Sequence, residues 1–163
     1  MAALIPSAKR FMPNASIVFV DTNVLLYAED GAHAGKQAQA FNWLKALWLR
    51  RCGRLSVQVL NEFYVNATRK LKPAMPPGDA RAEVRRYQRW HPWPNDHATV
   101  EAAWSVESRF RLSYWDALMI AAAQQQGCTL LLTEDLQHDQ QIDGLRIVNP
   151  FVIGPELLDA VTP

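Results

Sequence analysis

Two short apolar runs, each followed closely by an acidic residue, restrict the fold of this 163-residue chain more than any other feature. Ile17–Val20 is continuously apolar and ends at Asp21, and Thr129–Thr133, with three leucines at its centre, precedes Asp135. Continuous apolar runs of this length are typical of parallel strands that are covered on both faces. Because the carboxyl ends of parallel strands meet at one edge of a sheet, both acids are expected at the same edge.

Segments with helical periodicity separate these runs. Short strands are also predicted at Leu55–Val57 and Arg146–Val148, and Ser113 is the expected N-cap of the last helix. Strands that alternate with helices predict the α/β class, as a three-layer α/β/α fold with a central parallel sheet. The predicted helices are 23–28, 33–51, a helix after Val57 that contains Glu62, 79–90, 99–110 and 114–126.

The length of the chain and its 49% hydrophobic content suit one folded domain, which we place at residues 17–153. Residues 1–16 are expected to form an N-terminal extension and residues 154–163 a C-terminal tail. No apolar run approaches the roughly 20 residues of a membrane-spanning helix, so no membrane partner is expected. Two widely separated cysteines, Cys52 and Cys128, fit a reducing cytoplasm better than a disulfide or zinc framework.

Two further acids lie beside predicted buried faces. Asp116 is in the first turn of a largely apolar helix, and Glu62 is on the shoulder of the buried face of another. Each acid has a structural explanation of its own: Asp21 and Asp116 can favour a helix N-terminus, Glu62 can pair with Arg69 or Asn66, and Asp135 can be a turn residue. Taken singly, none of the four requires a function.

Taken together, the four acids can converge on one edge of the sheet. Two carboxylates about 4 Å apart repel by roughly 4 kcal/mol at an effective dielectric constant near 20. Protonation or bound cations must relieve this repulsion, and oxygen ligands favour hard divalent ions. Such ions can lower the pKa of a bound water and stabilise a leaving oxygen, which is sufficient for phosphodiester hydrolysis.

Four segments carry a resemblance to a known family. In order and spacing they resemble the PIN domain, the nuclease fold of bacterial VapC-type toxins, and the likeness extends from about Ile17 to Phe151. Each segment alone is a weak signal, whereas all four in sequence are a strong one. The segments are Val18–Leu25, Val57–Phe63, Leu112–Ala123 and Leu130–Asp135.

The resemblance implies a metal-dependent endoribonuclease in which Asp21, Glu62, Asp116 and Asp135 bind Mg²⁺ or Mn²⁺. It also implies supporting roles for residues at the positions of Asn23 and Thr133; helix start and strand-end cap are the structural alternatives. An RNA substrate, a homodimer and a cognate antitoxin are the expected partners.

Two neighbouring acids are further candidates for the site. Glu134 should point away from Asp135, because neighbours on an extended chain alternate faces. Asp139 is either an accessory ligand or a solvated loop acid. The aromatic helix that contains Phe41 and Trp48 offers a surface for the dimer or the antitoxin, although core packing explains part of this stripe.

Other functions compete with this interpretation. An aspartyl phosphatase would prefer an acid at the position of Asn23. The same fold can also serve a housekeeping RNA-processing nuclease, or a catalytically silent module that binds RNA or protein. Net charge is only +1, and the local arginine and lysine clusters permit a polyanionic partner without requiring one.

Overall fold

The two central strands coincide with the apolar runs found in the sequence. The computed structural model describes residues 16–160, and its five strands form one sheet in the order β2-β1-β3-β5-β4. β1, β2, β3 and β5 run parallel to one another, whereas the short β4 lies antiparallel at the edge. The strands are β1 (Val18–Val20), β2 (Gly53–Arg54), β3 (Leu130–Leu132), β4 (Gln141–Ile142) and β5 (Leu145–Val148).

The two central strands are covered on both faces, because every residue of β1 and β3 is buried. Val18 lies opposite Leu130, and Val20 lies opposite Leu132, so these strands end at the same level. The predicted α/β fold with a central parallel sheet is confirmed, with the antiparallel β4 as an addition.

Six α-helices in the described part of the chain connect the strands and cover the sheet. Four of them begin with side-chain caps, from Asp21, Ser56, Asp96 and Ser113, and the predicted cap at Ser113 is confirmed. The helices are α1 (Thr22–Ala28), α2 (Ala34–Arg50), α3 (Val57–Arg69), α4 (Pro77–Arg86), α5 (His97–Phe110) and α6 (Tyr114–Gln125).

The predicted strand at Leu55–Val57 is wrong. The strand is Gly53–Arg54, and Val57 is already the first residue of α3. Ser56 ends the extended segment, because its hydroxyl accepts a hydrogen bond from the amide of Val59 and caps the helix. Gly53 follows the predicted helix 33–51, and glycine is typical of a helix end; α2 nevertheless ends at Arg50, and Arg51 takes the left-handed cap conformation.

Gly53 has a packing role instead. A Cβ atom at this position would lie 2.6 Å from Cη2 of Trp90, a contact that real Cβ atoms do not make. Trp90 belongs to a 3₁₀ turn that extends α4, and its ring packs against Tyr87 and Trp48. The turn therefore fastens the end of α4 to the edge strand β2 and to α2.

The ends of the chain lie partly outside the described residues. The predicted N-terminal extension, residues 1–16, is described only at Ser16, and residues 161–163 of the predicted tail are not described. The rest of that tail includes a 3₁₀ turn, Pro155–Asp159, that lies against α2 through an ion pair between Arg50 and Asp159. Within residues 16–160, no helix has the length and apolar character needed to cross a bilayer.

Candidate metal centre

Asp21 lies where β1 ends and α1 begins. Its side chain is 7% exposed, and Oδ1 accepts a hydrogen bond of 2.6 Å from the amide of Thr22. Oδ2 accepts a second bond of 2.8 Å from the hydroxyl of Thr133, which follows β3. Asp21 is therefore both the N-cap of α1 and a buried carboxylate that is held from two sides.

Asn23 links the acids that follow β1 and β3. Its Nδ2 lies 3.2 Å from Oδ2 of Asp21 and 3.0 Å from Oδ2 of Asp135. The same nitrogen lies 3.2 Å from the hydroxyl of Thr133, which in turn accepts from the amide of Asp135. The amide nitrogen thus faces three acceptors, although it carries only two hydrogens.

Glu62 approaches this edge from α3 and contacts neither Arg69 nor Asn66, the structural partners considered for it. The hydroxyl of Thr22 donates to Oε2 at 3.0 Å, and Nε2 of Gln58 donates to Oε1 at 3.1 Å. Sequence reasoning did not identify Thr22 or Gln58. Gln58 could have been predicted from the sequence, because its i, i+4 spacing to Glu62 places both side chains on one helix face. Thr22 could not, because it is 40 residues from Glu62 along the chain.

Asp116 completes the group from the first turn of α6. Its amide donates to the capping hydroxyl of Ser113, so the cap leaves the helix conformation independent of the Asp116 carboxylate. Partial burial raises the pKa of Asp116, and the nearby carboxylates of Asp135 and Glu62 raise it further. The half-buried acid is therefore close enough to both to share their electrostatic field.

The pKa of Asp21 shows that carboxylates lie close together at this edge of the sheet. Burial raises its pKa from 3.8 to about 7, against the hydrogen bonds from Thr133 and Thr22 that stabilise the charged form. Asp135 and Glu62 raise it further by repulsion. The structure thus brings all four predicted site acids together at one edge of the sheet, with Asn23 and Thr133 between two of them.

The two neighbouring acids, Glu134 and Asp139, are directed away from the site. Glu134 forms an ion pair of 2.7 Å with Lys36, whose ammonium lies over the rings of Tyr27 and Phe151. Asp139 accepts hydrogen bonds from the guanidinium of Arg146. Both acids therefore have cationic partners of their own, whereas the four site acids have none among residues 16–160.

The donor chemistry of this edge fits a hard divalent cation. Carboxylate, amide and hydroxyl oxygens are the ligands of Mg²⁺ and Mn²⁺, and the buried amide oxygen of Asn23 has no hydrogen-bond partner among the described residues. In residues 16–160, no three acidic, histidine or cysteine side chains are grouped tightly enough to hold one ion alone.

The family of the chain follows from comparison with known proteins. Residues 18–141 match the family model of the PIN domain, and the chain belongs to this family. The resemblance inferred from the four sequence motifs is therefore confirmed. No curated protein matches the chain in sequence.

Solved structures share the fold at low sequence identity. A toxin–antitoxin complex from Klebsiella pneumoniae contains a chain that is 21% identical, with a TM-score of 0.62, over 83% of this chain and 98% of that one. A chain of FitAB bound to an IR36 DNA fragment is 16% identical, with a TM-score of 0.61, over 83% and 96%. Mycobacterium tuberculosis VapC20, described as a sarcin–ricin loop cleaving toxin, is 20% identical, with a TM-score of 0.51, over 70% and 86%.

Proposed function

We propose that this chain is a divalent-metal-dependent endoribonuclease and the toxin of a toxin–antitoxin pair. The observation that carries the proposal is the convergence of four carboxylates from separate segments, in which burial and repulsion from Asp135 and Glu62 raise the pKa values of Asp21 and Asp116. Such a group is unfavourable in isolation and is relieved by cations. The membership of the chain in the PIN domain family supports the same function.

Each polar residue has a distinct task in this proposal. Asp21 and Asp116 are the central ligands, and Glu62 and Asp135 complete the site. Asn23 and Thr133 hold the Asp21 and Asp135 carboxylates at fixed positions through the hydrogen bonds described above. Thr22 and Gln58 orient Glu62 in the same way, and residues that orient metal ligands commonly affect activity by 10- to 100-fold.

When bound, Mg²⁺ or Mn²⁺ supplies Lewis acidity that lowers the pKa of water and stabilises charge on the leaving oxygen. In the proposed hydrolysis, the oxygen of water bonds to phosphorus and the bond from phosphorus to the 3′ oxygen breaks. The proton lost by water reaches the departing 3′ oxygen through solvent. The products are one strand with a 3′ hydroxyl and one with a 5′ phosphate.

The basic test is cleavage of a mixed RNA pool by the purified protein with Mg²⁺, with Mn²⁺ and with EDTA. We expect internal cleavage with either ion, none with EDTA, and 5′-phosphate ends that accept ligation without prior phosphorylation. Absence of cleavage with both ions would favour the catalytically silent binding module.

The expected compartment is the cytoplasm, where the two free cysteines, Cys52 and Cys128, remain reduced.

Two adjacent acids offer a matched test of the site. Asp135→Asn is expected to reduce cleavage by about 10- to 100-fold, because it removes a charge that Asn23 holds within the group. Glu134→Gln should leave cleavage within about threefold of the wild type, because Glu134 pairs with Lys36 outside the group and a half-exposed pair contributes little to stability. Initial rates at saturating Mg²⁺ provide the measurement. Equal losses in the two variants would contradict this assignment of the loop.

The antitoxin would occupy a groove between α1, α2 and α4. This groove has a volume of about 310 Å³, and Phe41, which is 58% exposed, contributes to its wall. The structural relatives support such a partner, since one belongs to a toxin–antitoxin complex. We further propose that an antitoxin arginine pairs with the acidic group, and that the protein is a homodimer.

Phe41→Asp is expected to weaken binding of the small protein encoded by the neighbouring reading frame by at least about thirtyfold, as for a central aromatic contact. Val152→Asp is the control, because Val152 is 65% exposed and lies outside the groove. Calorimetry with the co-expressed partner gives the affinities, and light scattering gives the mass. Unchanged affinity of the Phe41 variant would exclude the groove, and a monomer at micromolar concentration would exclude the dimer.

A further inference from the structure

A second cavity lies directly beside the acidic group. Its volume is about 550 Å³, and its lining includes Glu62, which is one of the site acids, and Trp115, which precedes another. Trp115 is 62% exposed, although a large aromatic ring is usually buried in a monomer. The cavity therefore places an accessible aromatic side chain beside Glu62, one carboxylate of the acidic group.

Amide side chains accompany the aromatic ring. Asn61 of α3 and Asn95 of the loop before α5 both line this cavity, and both are exposed. Gln58 also lines it, but its Nε2 is already engaged with Glu62 and with the carbonyl of Trp115. An aromatic face with free amide donors and acceptors is the combination that binds an unpaired base by stacking and by hydrogen bonds to its edges.

Asn61 also connects this cavity to a third one. The third cavity has a volume of about 360 Å³ and lies between α3 and α4, where Tyr64, Arg81 and Arg85 line it. Neither arginine forms an ion pair with any residue in the range 16–160, whereas the adjacent Arg86 pairs with Glu83. Two unpaired guanidinium groups thus continue the same path away from the acids.

We propose that these connected cavities hold single-stranded RNA. A base next to the cleaved phosphate stacks on Trp115, Asn61 and Asn95 contact its edge, and Arg81 and Arg85 bind phosphates farther along the strand. The inference rests on the proposed nuclease function and adds the position of the substrate. The phosphates of a nucleic acid can pair with the two arginines, and its bases can stack on the exposed ring. A purely apolar partner would leave the arginines unpaired.

The test uses a fluorescein-labelled, unstructured 12-nucleotide RNA in EDTA, so that binding is measured without cleavage. Trp115→Ala is expected to weaken binding by about 5- to 150-fold, the range for loss of one stacked base. Trp104→Ala is the matched control, because Trp104 is 48% exposed on α5 and lines none of the cavities described here. An abasic strand of equal charge should bind wild type and the Trp115 variant alike.

The arginines are tested separately through salt dependence. Replacement of both Arg81 and Arg85 by glutamine should lower the magnitude of the slope of log affinity against log salt concentration by about 1.4, because each guanidinium neutralises about one phosphate and each phosphate of a single strand contributes about 0.7. Arg89→Gln is the control, since Arg89 is exposed and lies outside both cavities. An unchanged slope in the double variant would remove the arginines from the path.

The outcomes separate this inference from the proposed function. Wild-type cleavage of RNA with full binding by Trp115→Ala would overturn the subsite and leave the nuclease intact. Loss of the dimer in that variant with unchanged RNA affinity would assign Trp115 to a second copy and would also overturn it. Absence of both cleavage and RNA binding in the wild type would remove the nuclease proposal and this inference together.

Discussion

Asp116→Asn is expected to reduce RNA cleavage at least about a hundredfold without loss of the fold. The substitution keeps the shape of the side chain but removes a negative charge from the acidic group. It leaves the N-terminus of α6 intact, because the capping hydroxyl of Ser113 accepts a hydrogen bond from the amide of residue 116, which the substitution keeps. Cleavage rates at saturating Mg²⁺ and a thermal melting curve measure the two properties independently.

Asp143→Asn provides the matched control for this experiment. Asp143 is a half-exposed surface acid that pairs with Arg109, and asparagine tolerates its positive φ of 51°. The control makes the same chemical change at a distance from the site, so its activity should equal that of the wild type. Full activity in purified Asp116→Asn would refute the assignment of Asp116 as a central ligand.

The second large effect concerns stability in the absence of metal. The pKa of Asp21 is about 7 in the folded protein, against 3.8 in its ordinary environment, so the folded state holds a proton that the unfolded state has released. The stabilisation from this proton is complete below about pH 3.8 and is lost as the pH rises toward 7. Between pH 5 and 7, the free energy of unfolding should fall by up to about 2 to 3 kcal/mol from this group.

Urea unfolding of wild type and Asp21→Asn in EDTA isolates this contribution. The exposed acids whose pKa values are lowered, such as Asp139 and Asp143, complete their titration below this pH window. Asp116 contributes in the same direction as Asp21 and remains in both proteins. The wild type should therefore lose more stability than the variant between pH 5 and 7. Parallel profiles would mean that Asp21 is ionised in the metal-free fold.

Addition of Mg²⁺ should reverse the loss. An ion that binds only the folded state at 100 times its dissociation constant stabilises that state by about 2.7 kcal/mol. The gain should be greater at pH 7.5 than at pH 5, because ligand carboxylates must be ionised. Asp21→Asn should gain much less at either pH. A pH-independent gain in the wild type would place the ion elsewhere.

The position of Asp21 and Asp135 at one edge of the sheet could be predicted, because the local sequence determines the two strands that precede them. The apolar runs before Asp21 and Asp135 require buried strands, and parallel pairing then places both acids at one edge. The positions of Glu62 and Asp116 followed from helix periodicity alone. Their metal-binding and catalytic roles stay predictions.

The hydrogen bond between Thr22 and Glu62 and the start of α3 could not be predicted from the sequence in the same way. The bond from Thr22 to Glu62 depends on how α1 and α3 pack, and no local pattern encodes that distance. The strand predicted at Leu55–Val57 failed because a three-residue segment with two apolar side chains is compatible with a strand or with the start of a helix, and Val57, 42% exposed, begins α3. The hydroxyl of Ser56 decides between the two by capping α3.

The contact between Trp90 and Gly53 bears on the distance between the arginines of α4 and the acidic group. It fixes the end of α4 to the sheet that carries the acids, so Arg81 and Arg85 lie on a rigid support rather than on a loop. Changes in the preceding proline-rich connection would then leave the span between arginines and acids unaltered. If the chain is the nuclease proposed above, α4 would set a constant number of nucleotides between the phosphates that its arginines bind and the bond that is cleaved.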